Sequence, residues 1–180
     1  MARRDSAPRR YAEAAFEIAL RDDTVEEWRA DLDRAAATLD SAELGATLAN
    51  PALPLRQRVE IVQGVFADLS DPVRNLVLLL LRRGRIRQLP RVAAEFRRLD
   101  DKRNNTVHAT AVSAGPLDDA EVRGITARLE QMSGSRVALE TSVDPDLIGG
   151  VLVRIGDRLI DGSVRGRLER LRNKLAAGAL

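Results

Sequence analysis

The sequence predicts an α+β chain in two parts: an N-terminal six-helix bundle over residues 1–104 and a small C-terminal α/β domain over residues 105–180. Three observations carry this expectation. Apolar residues recur at three- and four-residue steps up to about residue 100, the spacing of one helix face. Near Asn104-Asn105 the pattern gives way to alternation punctuated by glycine, the mark of strands and turns. Only 3% of the chain is aromatic against 44% hydrophobic, so the core must be aliphatic, which suits helices packed through Leu, Val, Ile and Ala. With 180 residues, one domain or two small ones are the natural choices.

In the first helix, Tyr11, Ala14, Ala15 and Ile18 make one stripe, while Phe16 and Leu20 fall on another face, so two apolar sides are expected. Thr24 and Glu27 have capping-box spacing, and Val25, Trp28, Leu32, Ala35 and Leu39 follow as the second helix. Ser41 can cap a short third helix that stops before Asn50-Pro51, because the residue before proline resists helical geometry. Pro54 opens a fourth, with Leu55, Val59, Val62 and Phe66 on one face. Asp71-Pro72 reads as cap and first turn of a fifth. Its run Leu76 to Leu81 is apolar nearly all round, which means burial on more than one side, and Gly84 is its stop. The sixth carries Leu89, Val92, Phe96 and Leu99.

The junction falls near residues 100–106. Beyond it, Val107 to Val112 suits a strand, and Gly115-Pro116 a turn. Residues 117–132 return to helical spacing through Val122, Ile125 and Leu129, with Asp118 as cap. Arg136 to Val143 alternates again. Val151 to Ile155 and Arg158 to Asp161 form a hairpin around Gly156-Asp157. After Gly162-Ser163 a last helix places Val164, Leu168, Leu171 and Leu175 on one face.

Motifs for chemistry are missing. The chain has no cysteine, which excludes disulfides, thiol catalysis and cysteine metal sites. It has no phosphate-cradling Gly-Lys-Ser/Thr loop and no dinucleotide fingerprint. His108 is the single histidine, too few for a histidine metal site or a Ser-His-Asp relay. Asp22-Asp23, Asp100-Asp101 and Asp118-Asp119 are adjacent in sequence, so their carboxylates do not face each other and read as caps and solvated turns. Asp144-Pro145-Asp146 lacks the rest of a calcium loop, and Asn104-Asn105-Thr106 is a glycosylation sequon by pattern only. We expect no catalytic residue, no metal and no cofactor.

Net charge is +2 with both signs interleaved, the ordinary state of a solvated surface. A secretory signal is not expected, because Glu13 and Glu17 interrupt the stretch after the basic Met1 to Arg10. The longest apolar run, Leu76 to Leu81, is far short of the roughly 20 residues a spanning helix needs. Two features exceed a bland expectation. The Leu76–Leu81 helix and the two-sided first helix, whose Ala12, Ala14 and Ala15 allow close approach, either bury each other or leave a groove for a partner's amphipathic helix. The last helix sets Arg165, Arg167, Arg170, Arg172 and Lys174 beside an apolar stripe, which suits nucleic acid, lipid or an acidic partner; spacing alone does not choose among them.

The stretch from Ile148-Gly149-Gly150 through Arg154-Ile155-Gly156-Asp157 to Ile160-Asp161-Gly162-Ser163-Val164-Arg165-Gly166-Arg167-Leu168 resembles the C-terminal signature of the F-type ATP synthase delta subunit family, called the oligomycin-sensitivity-conferring protein in mitochondria. Arg10-Tyr11-Ala12-Glu13-Ala14-Ala15-Phe16 is similar to that family's opening helix, and Arg74-Asn75-Leu76 through Gly84-Arg85-Ile86 and Leu89-Pro90 to its fifth helix and the following turn. The resemblance spans essentially the whole chain. It implies a non-catalytic stator subunit that holds the alpha3-beta3 head against rotation, at the cytoplasmic face of a bacterial plasma membrane and attached to it only through the complex. It implies that the bundle binds N-terminal segments of alpha subunits, carried over to Tyr11, Ala14, Ala15, Ile18, Asn75, Leu76, Leu79 and Leu80, and that the α/β domain meets the peripheral-stalk b subunits. No nucleic-acid partner and no cofactor is implied. A basic nucleic-acid-binding module built on the Arg165 to Lys174 helix is the competing expectation.

Overall fold

The computed structural model describes residues 6–176 and 178, and the side chains of residues 42 and 174 stand outside that description. The basic stretch read at Met1 to Arg10 therefore lies outside the described residues up to position 5, as does the side chain of Lys174. The described chain is α+β, with eight α-helices, one short 3-10 turn and a four-stranded sheet. It divides into two compact units, Met1–Lys102 and Arg103–Leu180.

The first unit holds α1 (Ala7–Arg21), α2 (Val25–Leu39), α3 (Ala42–Ala49), α4 (Leu55–Val65), α5 (Asp71–Arg82), the 3-10 turn Ile86–Gln88 and α6 (Leu89–Arg103). One apolar cluster joins all six helices, drawing on Phe16, Leu32, Leu48, Val62, Leu80 and Phe96 among others. Phe96 is its hub: Phe16 meets it edge-on at 5.2 Å and Trp28 stacks on it at 6.1 Å, so three of the few aromatics bind α1, α2 and α6. Arg29 of α2 donates to the buried Asp100 of α6 at 2.7 Å.

The structure corrects the expected face of α1. Its core side is Ala12, Ala15, Phe16 and Ala19, while Ala14 and Ile18 face out and Tyr11 is half-buried. Small residues turn inward because α1 packs closely on its neighbours, so side-chain size did not mark the core. The capping box expected from Thr24 and Glu27 does not form, since Thr24 makes no side-chain cap bond. Ser41 does not cap α3 either; its hydroxyl donates back to the Thr38 carbonyl at 3.0 Å. Asp71 is the first residue of α5 rather than its cap, and Ser70 takes the cap position. Leu55, expected on the inner face of α4, is 44% exposed.

The second unit holds β1 (Thr106–Ser113), α7 (Asp119–Ser133), β2 (Arg136–Val143), β3 (Val151–Ile155), β4 (Arg158–Asp161) and α8 (Val164–Ala176). The sheet order is β2-β1-β3-β4. β1 runs parallel to β2, as a crossover through α7 permits, and antiparallel to β3, which pairs with β4. Ala109, Ala111, Val137 and Val153 are buried on one face against Leu129 and Ile125 of α7. Asp118 caps α7 in a reciprocal box with Glu121, and Gly134 ends it at φ +67°. Among the described residues, that core contains no side chain of α8.

Candidate partner-docking groove

Helix α5 is fixed at both ends. Its N-terminal cap, Ser70, makes no side-chain cap bond, and a carboxylate from α2 acts there instead: Asp31 Oδ2 accepts the Ser70 N–H at 2.8 Å. Asp31 is buried and is also bridged by Arg34. Burial works against its charge, but the Ser70 and Arg34 donors outweigh it and hold the carboxyl below its ordinary range. At the other end, Gly84 at φ +66° lets its own N–H reach the Leu81 carbonyl and the Arg85 N–H reach the Leu80 carbonyl at 2.8 Å, the double bond of a Schellman motif. That turn places Arg85 beside the end of α5.

Between these anchored elements lies a surface depression of about 490 Å³, lined by Ser6, Ala7, Arg10, Tyr11, Ala14, Leu79 and Arg85. Its floor is apolar and its edges carry two guanidinium groups. Three of the eight expected residues, Tyr11, Ala14 and Leu79, line it together. Ile18 lies one turn beyond Ala14 and is 39% exposed, and Asn75 lies one turn before Leu79 and is exposed. Ala15, Leu76 and Leu80 are instead buried in the core beneath the groove. The leucine-rich helix is thus divided: Leu76, Val77, Leu80 and Leu81 face inward, and Leu79, 41% exposed, faces out. Sequence reading missed Ser6, Ala7, Arg10 and Arg85. Arg85 was within reach of the Gly84 stop, because a left-handed glycine turns the next residue back over the helix end.

A shallow apolar floor with a cationic edge can hold an amphipathic helix by a few anchors. Among the described residues, no cluster of His, Asp and Glu is arranged to hold a metal ion. His108 is exposed on β1. No described helix is long and apolar enough to cross a membrane.

Comparison with known proteins agrees along the chain. The family model described as "ATP synthase delta (OSCP) subunit" matches residues 7–175. The ATP synthase subunit delta of Geobacter metallireducens is 37% identical over 173 residues, covering 94% of this chain and 96% of that protein. The corresponding subunit of Alcanivorax borkumensis is 40% identical over 176 residues, covering 97% and 99%. Among solved structures, a chain of the Toxoplasma gondii mitochondrial ATP synthase hexamer superimposes with a TM-score of 0.64 at 25% identity, covering 94% of this chain and 97% of that one.

Proposed function

The chain belongs to the ATP synthase delta (OSCP) family, and from that premise we propose that the groove between α1 and α5 seats an N-terminal helical segment of an alpha subunit. It is a non-catalytic stator subunit of the F-type ATP synthase, peripheral to the membrane part of the complex. A rotating central stalk exerts torque on the catalytic head. Unless the head is held, proton flow turns the head instead of driving synthesis. A stator therefore needs tight contacts at two ends and no reacting group.

In this reading residues 1–104, the six-helix bundle, grip the head, and residues 105–180 meet the b subunits at the cytoplasmic face of a bacterial plasma membrane. The observation that carries it is the clustering of Tyr11, Ala14 and Leu79, from two separate helices, around one apolar floor edged by Arg10 and Arg85. Apolar anchors from the alpha segment would fill the floor, and acidic side chains would meet the two arginines. Calorimetric titration of the full chain with a peptide of the alpha N-terminus tests it. Leu79→Glu should weaken binding about tenfold or more, since burying one leucine is worth roughly 1.5–3 kcal/mol. Leu79 is 41% exposed, so the variant is expected to fold. Unchanged affinity would remove the groove from the reading.

A further inference from the structure

Arginine is not used evenly over the first unit. From Arg9 to Arg74, and again at Arg97 and Arg98, each guanidinium meets a carboxylate, a hydroxyl or a backbone carbonyl. Among the described residues, Arg82, Arg83, Arg85, Arg87 and Arg91 have no such partner. All five are exposed. They crowd the turn from the end of α5 through Ile86–Gln88 into α6, within a stretch, residues 72–94, that contains no Asp or Glu.

Local structure accounts for only part of this cluster. Arg82 and Arg83 close α5, where the helix dipole favours cations. Arg87 and Arg91 stand at the start of α6, where the dipole favours acids, and that first turn has none. These two charges therefore work against the helix that carries them. The cluster is also continuous with the groove. Arg85 edges the groove beside Arg10. Arg91 lines a second depression, of about 690 Å³, with Arg9 and Arg98. Ser6 lines both, so cationic surface runs from the groove edge around the start of α1.

We propose that this arginine collar is a steering surface for an acidic face of the alpha3-beta3 head beside the segment seated in the groove, an inference that rests on assigning the bundle to the head. Position selects the occupant, because the surface that surrounds a groove-bound segment faces the collar. Charge selects its chemistry. Exposed guanidiniums without carboxylates of their own attract an acidic partner from solution and speed its arrival, whereas apolar anchors in the groove govern how slowly it leaves. Ile86 and Leu89, the apolar residues of the turn, are buried, so nothing is left to insert into a lipid surface. Residues 82–91 include no aromatic on which a base could stack.

The test measures association and dissociation rates of the full chain on the purified alpha3-beta3 head. At about 50 mM salt, the variant with Arg82, Arg83, Arg87 and Arg91 all changed to Gln should associate about tenfold or more slowly. Its dissociation should change by less than about threefold. The difference should shrink as salt rises to about 500 mM, because the charges are screened. Changing the same four residues to Lys should keep the wild-type rate, since charge rather than the guanidinium fork does the steering. All four sites are exposed, and an unchanged Trp28 fluorescence transition verifies the fold. If the wild type binds the head and the Gln variant associates as fast, the inference is wrong while the head assignment stands. Slowing in the Lys variant equal to that in the Gln variant overturns it as well. If the wild type does not bind the head, the head assignment fails and the inference with it. If the Gln variant instead loses self-association, or binding to duplex RNA or anionic vesicles, with the head association rate unchanged, the collar serves another partner and the proposal is overturned.

Discussion

Replacing Asp31 with alanine removes the acceptor that caps α5 from the neighbouring helix. The Ser70 N–H loses its 2.8 Å partner at a partly buried position. Loss of a helix-capping carboxylate costs about 1 kcal/mol, and its charge at the helix N-terminus adds roughly 0.3–1 kcal/mol. Arg34 is 55% exposed, so its bridge to Asp31 adds little, roughly 0–1 kcal/mol. Together these give about 2 kcal/mol, or a fall in Tm on the order of 10 °C for a unit of this size. Trp28, buried against Phe96, reports unfolding of this unit by fluorescence. Asp31→Asn, which keeps an acceptor but not the charge, should lose about half as much. The carboxyl is held below its ordinary range in the folded state, so its contribution is present above the unfolded value of about 3.9 and is lost as pH falls through the folded one. The gap between wild type and Asp31→Asn should therefore be full at pH 6 and close as pH falls through the lowered folded value. A Tm for Asp31→Ala within 2 °C of wild type at pH 6 would refute the reasoning.

Leu80→Ala empties a fully buried site and should cost about 2–5 kcal/mol, read from the same fluorescence transition. Gly150→Ala combines φ +81° with a backbone overlap at Gly162, so it should unfold or rearrange the second unit, visible in amide exchange of β3 and β4, while Trp28 still reports an intact first unit. Arg9→Ala removes an exposed pair with Glu13 and should change Tm by less than about 2 °C in a thermal scan.

Where local patterning decides structure, the sequence was enough to place it. The alternation of Arg136 to Val143, and Gly156-Asp157 between two short apolar runs, located β2, β3 and β4 because a strand and its turn are specified by their own residues. Asp118 was readable as a cap for the same reason. The face of α1 was not, because whether Ala12 or Ile18 turns inward depends on how closely another helix approaches. The same limit acted on the groove. Tyr11, Ala14 and Leu79 could be named from two helices expected to carry it, but Ala15, Leu76 and Leu80 differ from them only in which way the helix is rotated against the rest of the unit. On α8 the shared face of Val164, Leu168, Leu171 and Leu175 was legible, whereas its exposure was not, since that depends on a core that α7 and the sheet complete without it.

The most direct measurement of the stator role is co-purification through a tag on this chain, from cells that express the whole synthase at native levels. The account predicts that alpha, beta and b subunits are recovered together, and that the groove variant Leu79→Glu loses alpha and beta while keeping b. Recovery of a folded chain with neither head nor stalk subunits would contradict it.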